Sequence, residues 1–182
     1  MNEYEKIAQA NNIYLDANVL FKTILYEGKS SNLVNVLIYP SRIQMFSSYV
    51  ALGEWIGKYN RKNEQATIGG AEGYLYQCRQ LMNDFDVKKI KRAEPSKDKS
   101  QFIKCSKSLS DKYPKIGGAD IWHLLAVLEL KQNKPDIIML TFDKNLKDAA
   151  LKELIDAVYG HDLNEPEKMI EELRCRNKWI KP

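Results

Sequence analysis

The run Asp136-Ile-Ile-Met-Leu-Thr-Phe142 constrains the fold more than any other segment of the chain. Successive side chains on a strand point to opposite faces, so a strand with one wet face alternates apolar and polar residues. This run does not alternate. Being apolar on both faces, it predicts a buried central parallel strand with helices covering either side. Parallel neighbours need long crossover connections, usually helices, so the rest of the chain should alternate strand and helix.

The punctuation agrees with that expectation. Ile13-Tyr14-Leu15-Asp16 reads as the first strand, followed by a helical segment to about Leu25 stopped by Gly28, and a second from Ser31 to Tyr39 before Pro40. Ile43-Gln44-Met45-Phe46 reads as another strand, and Ser47 or Ser48 offers an N-cap for a helix carrying Val50, Leu52, Ile56 and Tyr59. A helix over Ala71–Met82, a short peripheral strand over Phe85–Ile90 and a helix marked by Phe102, Cys105 and Leu109 follow. Gly117-Gly118 opens the most regular helix, with Ile121, Leu124, Leu125 and Leu128 at i, i+3, i+4 and i+7. A short helix after Asp143, a strand over Ile155–Tyr159 and a terminal helix from about Glu165, capped by Asn164 with Glu167, complete the chain. The expected fold class is α/β: three layers, α/β/α, around a mainly parallel sheet. At 182 residues one domain is expected over 1–182, with a C-terminal helical extension after about residue 160.

Composition narrows the chemistry. Cys78, Cys105 and Cys175 are far apart and odd in number, and His123 and His161 are the only histidines. Disulfide frameworks and Cys or multi-His zinc sites are therefore not expected. The first residues, Met1 to Lys6, lack the basic flank and apolar stretch of a signal peptide, and no apolar run approaches the roughly 20 residues of a membrane span. A cytoplasmic protein without a membrane partner is the expectation. The 28 Lys and Arg against 24 Asp and Glu leave a net charge of only +4. What matters is where the acids fall.

Asp16 and Asp143 end the first strand and the most apolar one, and ligands of open α/β sheets bind outside those carboxyl ends. Glu54 lies one to two turns into the helix after the second strand, and Asp120 in the first turn of the helix opened by Gly117-Gly118. Four carboxylates near one edge repel and are expensive to bury without a counter-charge. Oxygen-only ligands select hard ions such as Mg²⁺ or Mn²⁺. Asn18 and Asn145, each two residues after an Asp, are candidates to orient ligands or water, and Thr141 to hydrogen-bond Asp16 or a substrate.

These fragments carry a resemblance. Leu15-Asp16-Ala17-Asn18-Val19-Leu20, Glu54 on a helix, Gly118-Ala119-Asp120 and Leu140-Thr141-Phe142-Asp143 together resemble the acidic signature of PIN-domain nucleases over about residues 12–160. The resemblance implies a five-stranded parallel sheet of order 3-2-1-4-5 and a Mg²⁺- or Mn²⁺-dependent endoribonuclease with Asp16, Glu54, Asp120 and Asp143 as its metal and catalytic residues. It further suggests a VapC-like toxin paired with an antitoxin protein. The chain departs from that pattern in its length, its Lys-rich stretch around residues 88–107, its tail after Gly160, and Asn145 where many relatives carry another acid.

Other features have plainer readings. His123, at i+3 from Asp120, is a candidate to touch substrate or metal but is read first as a packed, hydrogen-bonded histidine on an apolar helix; Trp55 and Trp122 are candidates to stack on bases but are read first as core, and Tyr49 and Tyr59 are weak candidates for stacking. Lys88, Lys89, Lys91, Arg92, Lys97, Lys99, Lys104 and Lys107, with Lys58, Arg61 and Lys62, form basic regions able to hold RNA phosphates or to serve as a solvated face. The apolar surplus of Leu20, Phe21, Ile24 and Leu25, then Leu33, Val34, Leu37 and Ile38, suits a homodimer, an antitoxin helix or the core itself. Competing functions are a phosphatase with a strand-end Asp nucleophile and a catalytically silent PIN-like module that binds RNA or protein.

Overall fold

A computed structural model describes residues 1–25, 37, 41–54, 83, 89–95 and 98–180. Its centre is an all-parallel sheet of five strands: β1 (Asn12–Leu15), β2 (Gln44–Ser47), β3 (Ile90–Arg92), β4 (Ile137–Thr141) and β5 (Asp156–Tyr159). Their spatial order is β3-β2-β1-β4-β5, the order expected. In the centre Asn12 pairs with Gln44 on one side and Ile137 on the other, and Leu15 pairs with Leu140.

Both faces of this sheet are covered, which explains why the central strand does not alternate. From β1, Ile13 and Leu15 enter one apolar layer while Tyr14 enters the other; from β4, Ile138 and Leu140 are separated from Ile137 and Met139 in the same way. The first layer contains α1 (Glu3–Gln9), α2 (Ala17–Leu25) and α6 (Pro166–Cys175), through residues such as Ile7, Leu20 and Leu173. The second contains α3 (Lys99–Lys112), α4 (Gly118–Asn133) and α5 (Lys144–Lys152), through Leu109, Leu124 and Leu146. A short helical segment, residues 49–54, follows β2; Ser48 caps it, its Oγ accepting from the Ala51 N–H at 3.1 Å. No helix among the described residues is long and apolar enough to cross a membrane.

Beyond one-residue shifts at strand ends, three features differ from the expectation. Helix α1 was not foreseen, although its signal is plain: Asn2 Oδ1 accepts from the Glu5 N–H while Glu5 reaches back to the Asn2 N–H, a capping box at Asn-x-x-Glu. Strand β3 starts at Ile90 and runs to Arg92, because it pairs with Met45 to Ser47 of β2; residues 85–88 lie outside the described residues. Asn164 does not cap the last helix. Pro166 occupies its first turn, where no N–H is needed, and the N–H groups of Asn164 and Glu165 donate instead to the Tyr4 hydroxyl at 2.9 Å each.

That tyrosine ties the tail to the first helix. Met169 and Leu173 are buried in the same layer as Ile7 and Ala8, and the Lys178 ammonium donates to the backbone carbonyls of Gln9 and Ala10. The segment after residue 160 thus completes the layer over β1. Of the apolar surplus after Asp16, Leu20, Phe21 and Leu37 are buried in that layer. The helix expected over 31–39, apart from Leu37, lies outside the described residues, as do the helix expected over 71–82, Trp55, Tyr59, Lys58, Arg61, Lys62, Lys88 and Lys97.

Replacing Tyr4 by Phe keeps the buried ring and removes the acceptor for two N–H groups. The variant should lose about 1–2 kcal/mol of unfolding free energy, read as a lower urea midpoint at unchanged slope. An unchanged midpoint would show that water replaces the hydroxyl without cost.

Candidate active site

Three helices begin where the strands end, and each start carries one of the expected acids. Asp16 follows β1 and caps α2, its Oδ1 accepting the Val19 N–H at 2.8 Å. Asp143 follows β4 and caps α5, its Oδ1 accepting the Leu146 N–H at 3.0 Å. Asp120 lies in the first turn of α4, where its Oδ2 accepts the Gly117 N–H at 3.0 Å. Helix N-termini hold partial positive charge, so these positions favour carboxylates. Thr141, the last residue of β4, joins two of them: its hydroxyl donates to Asp16 Oδ2 at 2.5 Å and accepts the Asp143 N–H at 2.9 Å. The fourth acid, Glu54, ends the described part of the helical segment after β2. There its Oε2 meets His123 Nε2 at 3.1 Å.

Burial works against the helix termini. Asp16 is only 1 % exposed, and desolvation pushes its carboxyl above the ordinary range. The Thr141 hydroxyl, the nearby His123 and the Val19 N–H offset part of that, and the charge of Asp120 adds to it. Asp120 is raised as well, first by desolvation; the Gly117 N–H opposes this, while Asp143 and Glu54 push it further up and His123 holds it down. Asp120 is thus within electrostatic reach of each of the other three acids. Among the described residues, the ion pairs include His123 with Glu54 but no Lys or Arg with Asp16, Asp120 or Asp143.

His123 is buried and hydrogen-bonded. Its Nδ1 lies 2.8 Å from the Tyr14 hydroxyl and 3.4 Å from the Ser48 hydroxyl. Burial drives the Tyr14 phenol far above its ordinary pKa, so it stays protonated. Tyr14 was not anticipated as part of this edge. Its signal was a polar-tipped side chain in β1 on the face opposite Ile13 and Leu15. Glu94, just after β3, was also missed: it accepts from the Trp122 indole at 2.9 Å, the Tyr49 N–H at 2.7 Å and Arg92 Nε at 3.3 Å. Arg92 in turn lies 4.2 Å over the Tyr49 ring. Asn18 is half-buried in the first turn of α2. Asn145 is exposed on α5, makes no hydrogen bond to the four acids, and lines a cleft with Tyr113 and Lys115.

In kind, this donor set suits a hard divalent cation: anionic oxygens, partly desolvated and with no Lys or Arg paired to Asp16, Asp120 or Asp143 among the described residues. Asp120 Oδ1 and Asp143 Oδ2 make no hydrogen bond to a described residue, leaving lone pairs available. As the side chains stand, no three His, Cys, Asp or Glu among the described residues are gathered closely enough to hold one ion. Comparison with known proteins adds no relative: no protein-family profile matches the sequence, and no curated protein matches it.

The raised carboxyl of Asp16 has a definite sign. The folded state holds that proton more tightly than the unfolded state, so this group's contribution is most favourable at low pH and is lost as pH rises through the raised folded value. Asn is as good an N-cap as Asp and carries no charge to desolvate. In EDTA, Asp16→Asn should therefore melt higher than the parent at pH 7, by about 2–4 °C for each kcal/mol relieved. The gain should shrink toward pH 4. A variant that melts lower at neutral pH would show that the charge is compensated in the fold.

Proposed function

We propose that this protein is a divalent-cation-dependent endoribonuclease of the PIN-domain type. The observation that carries the reading is Asp16, buried at the end of the central strand β1, unpaired with any Lys or Arg among the described residues and within electrostatic reach of Asp120. The strand order matches what the resemblance implies, and the carboxyl edge is where such a sheet builds its site.

Asp16, Asp120 and Asp143 would hold Mg²⁺ or Mn²⁺, with Glu54 at the rim. When bound, the ion supplies Lewis acidity, acidifying a water and offsetting charge on phosphoryl oxygens. The chain's own residues do the positioning. Thr141 holds Asp16 by donating to Oδ2, and the first turns of α2 and α5 hold Asp16 and Asp143 through Val19 and Leu146. An RNA strand would lie along the exposed Lys91 and Arg92 at the carboxyl end of β3, with Tyr49, 52 % exposed, beside them and Lys89 at the strand's start. A toxin role, with an antitoxin or a second copy as partner, draws on the resemblance alone.

A catalytically silent module that binds RNA or protein is the second reading. It is favoured by the fact that Asp16, Asp120 and Asp143 each already serve a helix start, while no three acids gather as ligands among the described residues.

Cleavage separates the two. Purified protein should cut single-stranded RNA with Mg²⁺ or Mn²⁺ and stop on EDTA addition. Asp16→Asn and Asp120→Asn should each lower the rate by more than about 100-fold with an unchanged circular dichroism spectrum, since outer partners of metal ligands alone cost 10–100-fold. Full activity in a clean Asp16→Asn preparation rejects the nuclease; binding without cleavage selects the module. With Asp16→Asn as a non-cleaving binder, RNA affinity should fall with salt at a slope of about −0.7 per neutralised phosphate, less steeply in Arg92→Ala. A salt-insensitive affinity would discard the basic surface.

A further inference from the structure

His123 is engaged on both sides of its ring at the rim of the acidic edge. It lies on α4 one turn after Asp120, only 1 % exposed, with Nδ1 2.8 Å from Tyr14 Oη and Nε2 3.1 Å from Glu54 Oε2. A carboxylate offers only lone pairs, so Nε2 must carry a proton to face Glu54. In the neutral ring Nδ1 is then an acceptor, and the Tyr14 hydroxyl donates into it. The opposite tautomer would set a bare Nε2 lone pair against a carboxylate in a poorly solvated place. The chain of donation therefore runs from Tyr14 to His123 to Glu54.

An apolar side chain at position 123 would occupy this buried place with no polar group to satisfy. A buried network that is fully satisfied instead rigidifies its members. The member that reaches the edge is Glu54, which sits on a segment anchored by the buried Ala51 and Ser48. With both nitrogens committed, His123 is not itself a ligand for an ion or a contact for substrate.

We infer that His123 and Tyr14 are positioning residues for Glu54: the Tyr14–His123–Glu54 relay fixes the imidazole tautomer and holds the Glu54 carboxylate at the edge shared with Asp16 and Asp120. Its geometry stands without the nuclease reading; its consequence for turnover rests on that reading. The relay is the outer partner that orients a carboxylate, a role whose loss typically costs 10–100-fold in activity or metal affinity.

Long-range proton–nitrogen NMR of the His123 ring should report the Nε2–H tautomer in the parent, a tautomer mixture in Glu54→Gln, and a shifted Nδ1 resonance in Tyr14→Phe, which loses the nearer donor to that nitrogen. An Nδ1–H ring in the parent overturns the relay. In Mn²⁺-dependent RNA cleavage, His123→Leu and Glu54→Gln should each lower kcat by about 10–100-fold, with KM changed little and the double variant no worse than either single one. His123→Gln, which keeps an amide donor facing Glu54, should recover most of the loss. Additive losses, or a Gln variant as poor as Leu at equal melting temperature, overturn the proposal. If the parent cleaves no RNA with any divalent ion, the nuclease reading fails, and the ring's tautomer, with its loss in Glu54→Gln, still decides the relay. Should His123→Leu not fold, the Glu54→Gln and Tyr14→Phe spectra and the His123→Gln variant decide it.

Discussion

Leu15 pairs with Leu140 in the middle of the sheet, and that register sets Asp16 beside Thr141, residues 125 positions apart in the chain. Parallel pairing puts the carboxyl ends of both strands at the same edge, so the two helices that follow, α2 and α5, start there together. The Thr141 hydroxyl then closes the gap, donating to one strand-end acid and accepting the backbone N–H of the other. A one-residue slip between β1 and β4 would carry each inward side chain to the opposite face and break this junction at once. The whole acidic edge depends on that central pairing.

Two electrostatic effects compete at the junction. Helix starts stabilise Asp16, Asp120 and Asp143 by their N–H groups, with dipole terms of about 0.3–1 kcal/mol each. Desolvation and mutual repulsion oppose them, and for Asp16 and Asp120 the net result is a carboxyl that holds its proton more tightly than usual. A fold that keeps such groups without a basic partner among its described residues carries a local destabilisation. Strain of this kind concentrates where a site needs preorganised charge, and a bound cation or a neutral replacement would relieve it.

Much of the architecture was legible because it follows from local rules. The doubly apolar run at residues 137–141 announced a covered parallel strand, and Ser48, Asp143 and Gly117-Gly118 announced helix starts from their side chains or lack of them. The boundaries that escaped depended on partners remote in sequence. Strand β3 ends where β2 stops offering partners, and the start of α6 is satisfied by a tyrosine hydroxyl from the first helix. The four acids were legible as occupants of one edge. The bonds that orient them were not, since Tyr14, Ser48 and His123 meet only after three separate elements have packed.

By itself the sequence determined the strand and helix alternation, the parallel character of the sheet and the edge at which the acids lie, because hydrophobic periodicity and helix-start chemistry act over a few residues. Only the tertiary structure decided how those acids are held. Asp16 became a buried, under-compensated carboxylate tied to Thr141, and Glu54 became the end of a relay through His123. The physical reason is that desolvation and hydrogen-bond geometry depend on neighbours brought from 69 to 125 residues away, and nothing local in the chain encodes them.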